Sequence, residues 1–192
     1  MISPYLKDFI RDIPQKGKVL DIGCGSGKTL RLIKEMRPDL ICSAIDFEDT
    51  KARIPKEVQF SVGSAEDLRA HYQREMFDAV ICQHVIEHLL YPTKLLENIN
   101  FVTKKGGSLF METPNWTRLF IPFSKNFFWN DYTHVRPFSK YALSKLVENY
   151  DFSVSYAKTL SSLLGESFYL TPSFIFGRTI KDVLILSAKK NG

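Results

Sequence analysis

Two groups of residues in this chain have types and spacing suited to chemistry. The first is VLDIGCGSG, Val19 to Gly27, an apolar run with an acid, Asp21, and then glycine at every second position, Gly23, Gly25 and Gly27. Glycine accepts positive φ and lets a ligand approach the main chain, while a helix starting after such a loop turns unpaired N–H groups toward that ligand. The chemistry served is the holding of a nucleotide. Spacing narrows which one. A dinucleotide loop, G-x-G-x-x-G, needs glycine three residues after Gly25, where Lys28 stands. A phosphate loop ending in Gly27-Lys28-Thr29 needs its first glycine at Ile22, and a loop starting at Gly23 is one residue too short to wrap a β-phosphate.

The second group is imidazole. Of the four histidines, His84 and His88 follow an apolar run and His134 lies in DYTHVRPFS, all places where a proton acceptor is useful. His71, beside Tyr72, reads as structural, on a surface helix. His84, Glu87 and His88 are spaced i, i+3, i+4, so on a helix beginning there they share one face, which is a candidate metal surface.

The elements that must position these groups can be read in order. A helix of good formers is expected over Lys28–Met36, and the apolar run from Leu40 to Ile45 ends in Asp46, about twenty residues beyond the glycine loop and placed for ribose hydroxyls. Val58 to Leu68 supplies a third strand segment, Phe77 to Leu89 a fourth strand with a following helix, and GSLFMETPN a fifth strand after Lys104-Lys105-Gly106-Gly107. Ser139 to Asn149 reads as a capped amphipathic helix, Phe152 to Thr159 as a sixth strand and Asp182 to Ala188 as a seventh. Alternating strands and helices argue for a mostly parallel sheet covered on both faces, with ligands at the carboxyl ends of the strands.

An acid two residues before G-x-G-x-G resembles motif I of the class I S-adenosylmethionine (SAM) methyltransferases, of the methyltransferase type 11/23-like kind. The blocks from Asp46 to GSLFMETPN continue the resemblance in order, so that with VLDIGCGSG it covers about 95 residues. It implies a Rossmann-like three-layer α/β sandwich with a seven-stranded, mostly parallel sheet and an antiparallel last strand, as a single domain over residues 1–192. SAM is then the cofactor. Asp21, Gly23, Cys24, Gly25 and Gly27 would hold its methionine end, Asp46 and Phe47 the ribose, Ser64, Ala65 and Glu66 the adenine side, with Gln83 near the sulfonium. Ser64 departs from the family, which often carries an acid there, and Glu66 or Asp67 would compensate.

Because the sulfonium is already electrophilic, such an enzyme must align the acceptor and, for oxygen, remove its proton. His134 or His84 is the expected catalytic base. The pattern also resembles the E-x-x-E-H plus distal histidine of metal-dependent O-methyltransferases, among them small-RNA 2′-O-methyltransferases and ubiquinone-pathway enzymes, with His84 in place of the first glutamate. A set drawn from His84, Glu87, His88 and His134 would suit zinc, iron or manganese better than magnesium. Metal-free members share the Glu-His pair, so a divalent metal is the alternative and not the favoured reading. A non-catalytic SAM-binding module and a nucleotide oxidoreductase are the competing classes.

Composition is consistent with this. The 192 residues suit one domain, and a net charge of +5 from scattered basic residues fits an anionic acceptor without demanding DNA. The expected acceptor is a small molecule, lipid precursor or glycan intermediate. Cys24, Cys42 and Cys82 lack disulfide or zinc spacing, which is consistent with reduced thiols in the cytoplasm. No run has membrane-spanning length. Residues 1–14 read as an amphipathic lid helix. Residues 114–137 are too long for a simple connection, and the resemblance implies that they form the substrate pocket and part of its lid; Trp116, Phe120, Phe123, Phe127, Phe128, Trp129 and Tyr132 then cover the acceptor or close the core, and Arg136 meets an anionic group or Asp131. Residues 160–180 read as a second lid, a homodimer contact or a membrane-touching surface.

Overall fold

The computed structural model describes residues 3–116, 127–160 and 183–192. The expectations for Phe120 and Phe123 and for residues 161–180 lie outside them. The order is α1 (Pro4–Arg11), β1 (Lys18–Ile22), α2 (Lys28–Met36), β2 (Ile41–Asp46), β3 (Gln59–Val62), β4 (Phe77–Gln83), α3 (Pro92–Val102), β5 (Thr103–Pro114), α4 (Lys140–Glu148), β6 (Phe152–Leu160) and β7 (Val183–Lys190).

These strands form one seven-stranded sheet in the order β3-β2-β1-β4-β5-β7-β6. All neighbours run parallel except β7, which is antiparallel to both β5 and β6. The last strand therefore inserts between β5 and β6, and the sheet is the mostly parallel one expected. The strand order reverses between β1 and β4, which opens a crevice at their carboxyl ends.

Period-two alternation splits the apolar residues between two cores. Leu20, Val80, Cys82, Leu109, Met111, Leu184 and Leu186 face α3 and α4, while Val19, Ala79, Ile81, Phe110 and Ile185 face α1 and α2. The three layers follow from that split. The helix expected from Ser139 has its cap, since Ser139 Oγ accepts from Ala142 N at 3.2 Å.

α1 is docked on the sheet. Leu6, Phe9 and Ile10 are buried, and the Phe9 and Phe110 rings stack at 5.4 Å. The Arg37 guanidinium closes its end, donating to the carbonyls of Ile10, Arg11, Ile13 and Pro14 at 3.0–3.4 Å while Asp39 holds it bidentately at 2.8 Å. Helix carbonyls that lack an intrahelical partner are thereby satisfied. Where a lid was expected over residues 1–14, the described part is a packing helix. Cys24, Cys42 and Cys82 are buried free thiols. Among the described residues no helix is long and apolar enough to cross a membrane.

Candidate active site

The loop after β1 is built around the carboxyl ends of β1 and β2. Gly23 N donates to Ile45 O at 2.8 Å, and Gly27 N closes a turn on Cys24 O at 2.8 Å. Gly23 has φ +70°, and a Cβ there would lie 2.3 Å from Val85 Cγ2. Gly25 differs: at φ +48° a Cβ would meet nothing within 4 Å, so its missing side chain leaves room beside the backbone rather than avoiding a neighbour. Asp46 Oδ2 accepts from Gly25 N at 2.7 Å and Oδ1 from Glu48 N at 3.1 Å, and each oxygen keeps a lone pair for a further donor.

A cavity of about 400 Å³ opens at this point. Of the residues expected from sequence, Gly23, Asp46, Phe47, Ser64, Ala65, His84 and His88 line it, together with Ile22, Ile45, Gly63, Val85, Leu89 and Thr133. Asp21, Cys24, Gly25, Gly27, Glu66, Gln83, Glu87 and His134 are not part of that lining. Asp21 is 2 % exposed, and its Oδ2 has no hydrogen-bond partner among the described residues. Burial, followed by the charge of Asp46, raises its carboxyl to about 8. An orphaned acid beneath an open glycine loop fits a ligand that brings a cation, and the methionine end of SAM carries an ammonium. The Cys24 thiol sits 3.9 Å from Thr50 Oγ1, and burial pushes it up to about 12, so it is inert. Ser64 Oγ accepts from Glu66 N at 3.1 Å; Glu66 Oε1 is buried without a partner among the described residues, and its carbonyl holds Asn98.

Past β4 the chain does not enter the helix on which the i, i+3, i+4 reading depended. His84 has φ +53°, only Ile86–His88 forms a single 3-10 turn, and the next α-helix begins at Pro92. The left-handed residue turns His84 toward β5. His84 Nε2 lies 3.1 Å from Glu112 Oε1 and Nδ1 lies 3.3 Å from Glu87 Oε1. Burial opposes its charge, but the hydrogen bonds and attraction of Glu112 and Glu87 win and raise its pKa to about 9. At neutral pH both ring nitrogens are therefore donors. The same carboxylate of Glu112 accepts from Gln83 Nε2 at 3.2 Å, and Gln83 Oε1 accepts from Thr29 Oγ1 at 2.9 Å. A chain of donors and acceptors thus runs from the first turn of α2 to Glu87, whose Oε2 accepts from Thr113 at 3.0 Å.

The three groups that do converge are Glu87, His88 and His134, whose ligand atoms lie within 4.8 Å of one another. Glu87 is fully buried, the two rings are 4.8 Å apart, and the chain returns because Val135 N and Arg136 N donate to Glu87 O at 2.8 and 3.2 Å. His134 Nδ1 is 2.6 Å from Phe128 O. A carbonyl only accepts, so Nδ1 carries the proton and Nε2 keeps its lone pair. The donor set, two imidazoles and a carboxylate, fits a borderline divalent ion. Among the expected metal candidates, His84 lies outside this group.

Asp131 pairs with Thr133 and His134 rather than with Arg136 among the described residues. His71 caps a 3-10 turn and fills the space over Gly63, where a Cβ would meet its Nε2 at 2.3 Å. Phe128 is buried in the core, whereas Trp129 and Tyr132 are 48 % and 96 % exposed. Sequence reasoning missed Glu112 and Thr133. A signal for Glu112 existed, since it is the one acid in β5 and directly follows the buried run Leu109–Met111, near the end where ligands bind. Asp131-Tyr132-Thr133 likewise carries a short polar turn pattern immediately before His134.

Comparison with known proteins bears on the family and the fold. A family profile described as a methyltransferase domain matches residues 2–157. The ubiquinone biosynthesis O-methyltransferase of Xanthomonas axonopodis pv. citri is 32 % identical over 126 residues, covering 60 % of this chain and 52 % of the relative. The chain thus spans about half the length of the curated relatives it matches. A SAM-dependent methyltransferase from Archaeoglobus fulgidus superposes with a TM-score of 0.75 at 22 % identity, over 97 % of this chain and 91 % of the other. The 1,6-didemethyltoxoflavin-N1-methyltransferase of Burkholderia thailandensis, solved with S-adenosylhomocysteine bound, superposes at 0.69 with 15 % identity, over 98 % and 77 %. With the glycine loop, the strand order and the profile in agreement, this chain belongs to the methyltransferase-domain family of class I SAM-dependent enzymes.

Proposed function

We propose that this methyltransferase acts on a hydroxyl oxygen of a small molecule, lipid precursor or glycan intermediate, with His134 as the proton acceptor. SAM, when bound, supplies a methyl group on a sulfonium, so the chain's own task is to align the oxygen and take its proton. The observation that carries the reading is the His134 ring: Nδ1 is anchored on Phe128 O at 2.6 Å, which leaves a basic Nε2 beside His88 and the buried Glu87. The curated relatives, O-methyltransferases of ubiquinone biosynthesis, support oxygen over nitrogen. In this reading Gly23, Gly25 and Asp21 receive the methionine end, Asp46 the ribose, and Ser64 and Ala65 the adenine side. His84, paired with two carboxylates, serves as a positioning cation instead of the base expected of it.

A second reading has its own observation. The His88 Nε2 lies 4.0 Å from Glu87 Oε1 in a group whose third member also offers a lone pair, an arrangement that a divalent cation would complete. Such an ion would polarise the acceptor hydroxyl and lower its pKa.

The test starts with thermal shifts of chelator-treated protein with S-adenosylhomocysteine, NAD and ATP. SAM turnover on pooled phenolic and sugar hydroxyl acceptors follows, with and without zinc, iron(II) or manganese. Stabilisation by S-adenosylhomocysteine alone, with turnover lost in His134→Ala, supports the first reading. Turnover that requires added metal supports the second. Binding without turnover on any acceptor favours a non-catalytic module, and no response to S-adenosylhomocysteine overturns both readings.

A further inference from the structure

We propose that Asp131 and Thr133 form a positioning pair that fixes the His88 ring in the tautomer whose Nε2 lone pair faces Glu87 and His134. The inference rests on the reading that these three groups form the acceptor-activating end of the site, and it assigns a role to two residues outside that set.

Thr133 Oγ1 lies 2.5 Å from Asp131 Oδ1 and 2.9 Å from His88 Nδ1. A carboxylate has no proton to give, and a hydroxyl has one, so the threonine proton goes to Asp131. The oxygen can then meet His88 Nδ1 only as an acceptor, and Nδ1 must carry hydrogen. The Thr133 backbone N–H also donates to Asp131 Oδ1, at 3.0 Å, so both Thr133 donors converge on the carboxylate. Its second oxygen lies 3.7 Å from His134 Nε2, so one exposed carboxylate touches both imidazoles, directly and through a hydroxyl. His88 is the less constrained of the two. Phe128 O anchors His134 in a buried position, whereas the His88 side chain is 31 % exposed, and its Nδ1 contact among the described residues is Thr133.

This is the arrangement by which outer groups set the tautomer and orientation of a working histidine, and removal of such a partner typically lowers ligand or metal affinity about 10–100-fold. It requires no change in overall fold, because Thr133 and Asp131 lie on the surface rim of the cavity.

The test reads the ring directly. Two-bond ¹H–¹⁵N spectra of histidine-labelled protein at about pH 8, above the ordinary imidazole range, report which nitrogen holds the proton. The wild type should show His88 protonated at Nδ1, Thr133→Val should move the proton to Nε2 or give a mixture, and Thr133→Ser should restore the wild-type pattern. Asp131→Asn should weaken the preference, since an amide can donate to the threonine and reverse the chain. Cobalt(II), added alone, should bind Thr133→Val about 10–100-fold more weakly than wild type, with Thr133→Ser within about threefold. An unchanged His88 tautomer in Thr133→Val, or no rescue by serine, overturns the proposal. Should the wild type bind no cobalt, the metal reading falls and the spectra alone decide this one. S-adenosylhomocysteine thermal shifts on the same samples keep the cofactor reading separate, for they should be equal in all variants.

Discussion

Glu112 Oε1 and His84 Nε2 meet at 3.1 Å, joining the end of β5 to the left-handed residue that follows β4. With Glu87 on the other ring nitrogen, the pair raises the imidazole to about 9. The stabilisation is fully present below the ordinary imidazole pKa, near 6.5, and is lost as pH rises through about 9. Wild-type unfolding free energy should therefore fall across that window, and Glu112→Gln should flatten the slope. The His84 side chain is 46 % exposed, so solvent screening limits the effect to about 0.5–1 kcal/mol. Urea denaturation at a series of pH values measures it; equal slopes in the two proteins would refute the coupling.

The pH dependence of Asp21 has the same sign but another cause, since here the charged form is the disfavoured one. Its folded pKa of about 8 exceeds the unfolded value of 3.8, so the native state binds the extra proton and stability declines as pH rises between them. Asp21→Asn should remove that decline and leave the ligand-free protein at least as stable as wild type at about pH 8, by about 1–3 kcal/mol if the orphaned oxygen is the dominant cost. The same variant should bind S-adenosylhomocysteine at least about tenfold more weakly, about 1.4 kcal/mol. Calorimetry with and without the nucleoside reads both numbers, and a variant that lost stability without losing affinity would contradict the assignment.

Gly23 and Gly25 should separate folding from binding. Alanine at Gly23 forces a Cβ to 2.3 Å from Val85 at positive φ, and overpacking with backbone strain should cost about 2–4 kcal/mol in the ligand-free state. Alanine at Gly25 meets no atom within 4 Å and should cost only about 1 kcal/mol of strain. Its effect should appear instead as loss of the S-adenosylhomocysteine thermal shift. If both variants lose stability equally, the space beside Gly25 is not kept for a ligand.

His134→Ala should lower kcat by about 10²–10⁴ once an acceptor is found, with KM for SAM little changed, as expected for loss of a proton acceptor. His84→Ala should act differently, weakening both parameters modestly by releasing Glu112 and Gln83. Steady-state kinetics that reversed this order would transfer the base role back to His84.

The cofactor half of the site was legible because its information is local. A glycine loop after an apolar strand, Asp46 at the end of the next, and the Ser139 cap are each decided within a few residues, by φ restrictions and period-two burial. Strand identity was equally readable, down to the two runs that became β6 and β7. The histidine half was not. The i, i+3, i+4 spacing predicts a shared helix face, but a carboxylate 28 residues downstream on a neighbouring strand draws His84 into a left-handed turn. The Thr133 partner of His88 likewise arrives from a segment more than 40 residues away, and it brings His134 with it.

What the sequence by itself determined is which runs form the strands and the loop that receives a nucleoside, since these follow from local backbone preferences and apolar periodicity, and, through the resemblance of its motif blocks, the family. Only the tertiary structure decided which histidine is a cation, which two keep a free nitrogen, and that Glu112 and Thr133 belong to the site. Protonation and tautomer depend on which donor or acceptor lies within about 3 Å, and that is set by strand pairing and loop return between segments distant in the chain.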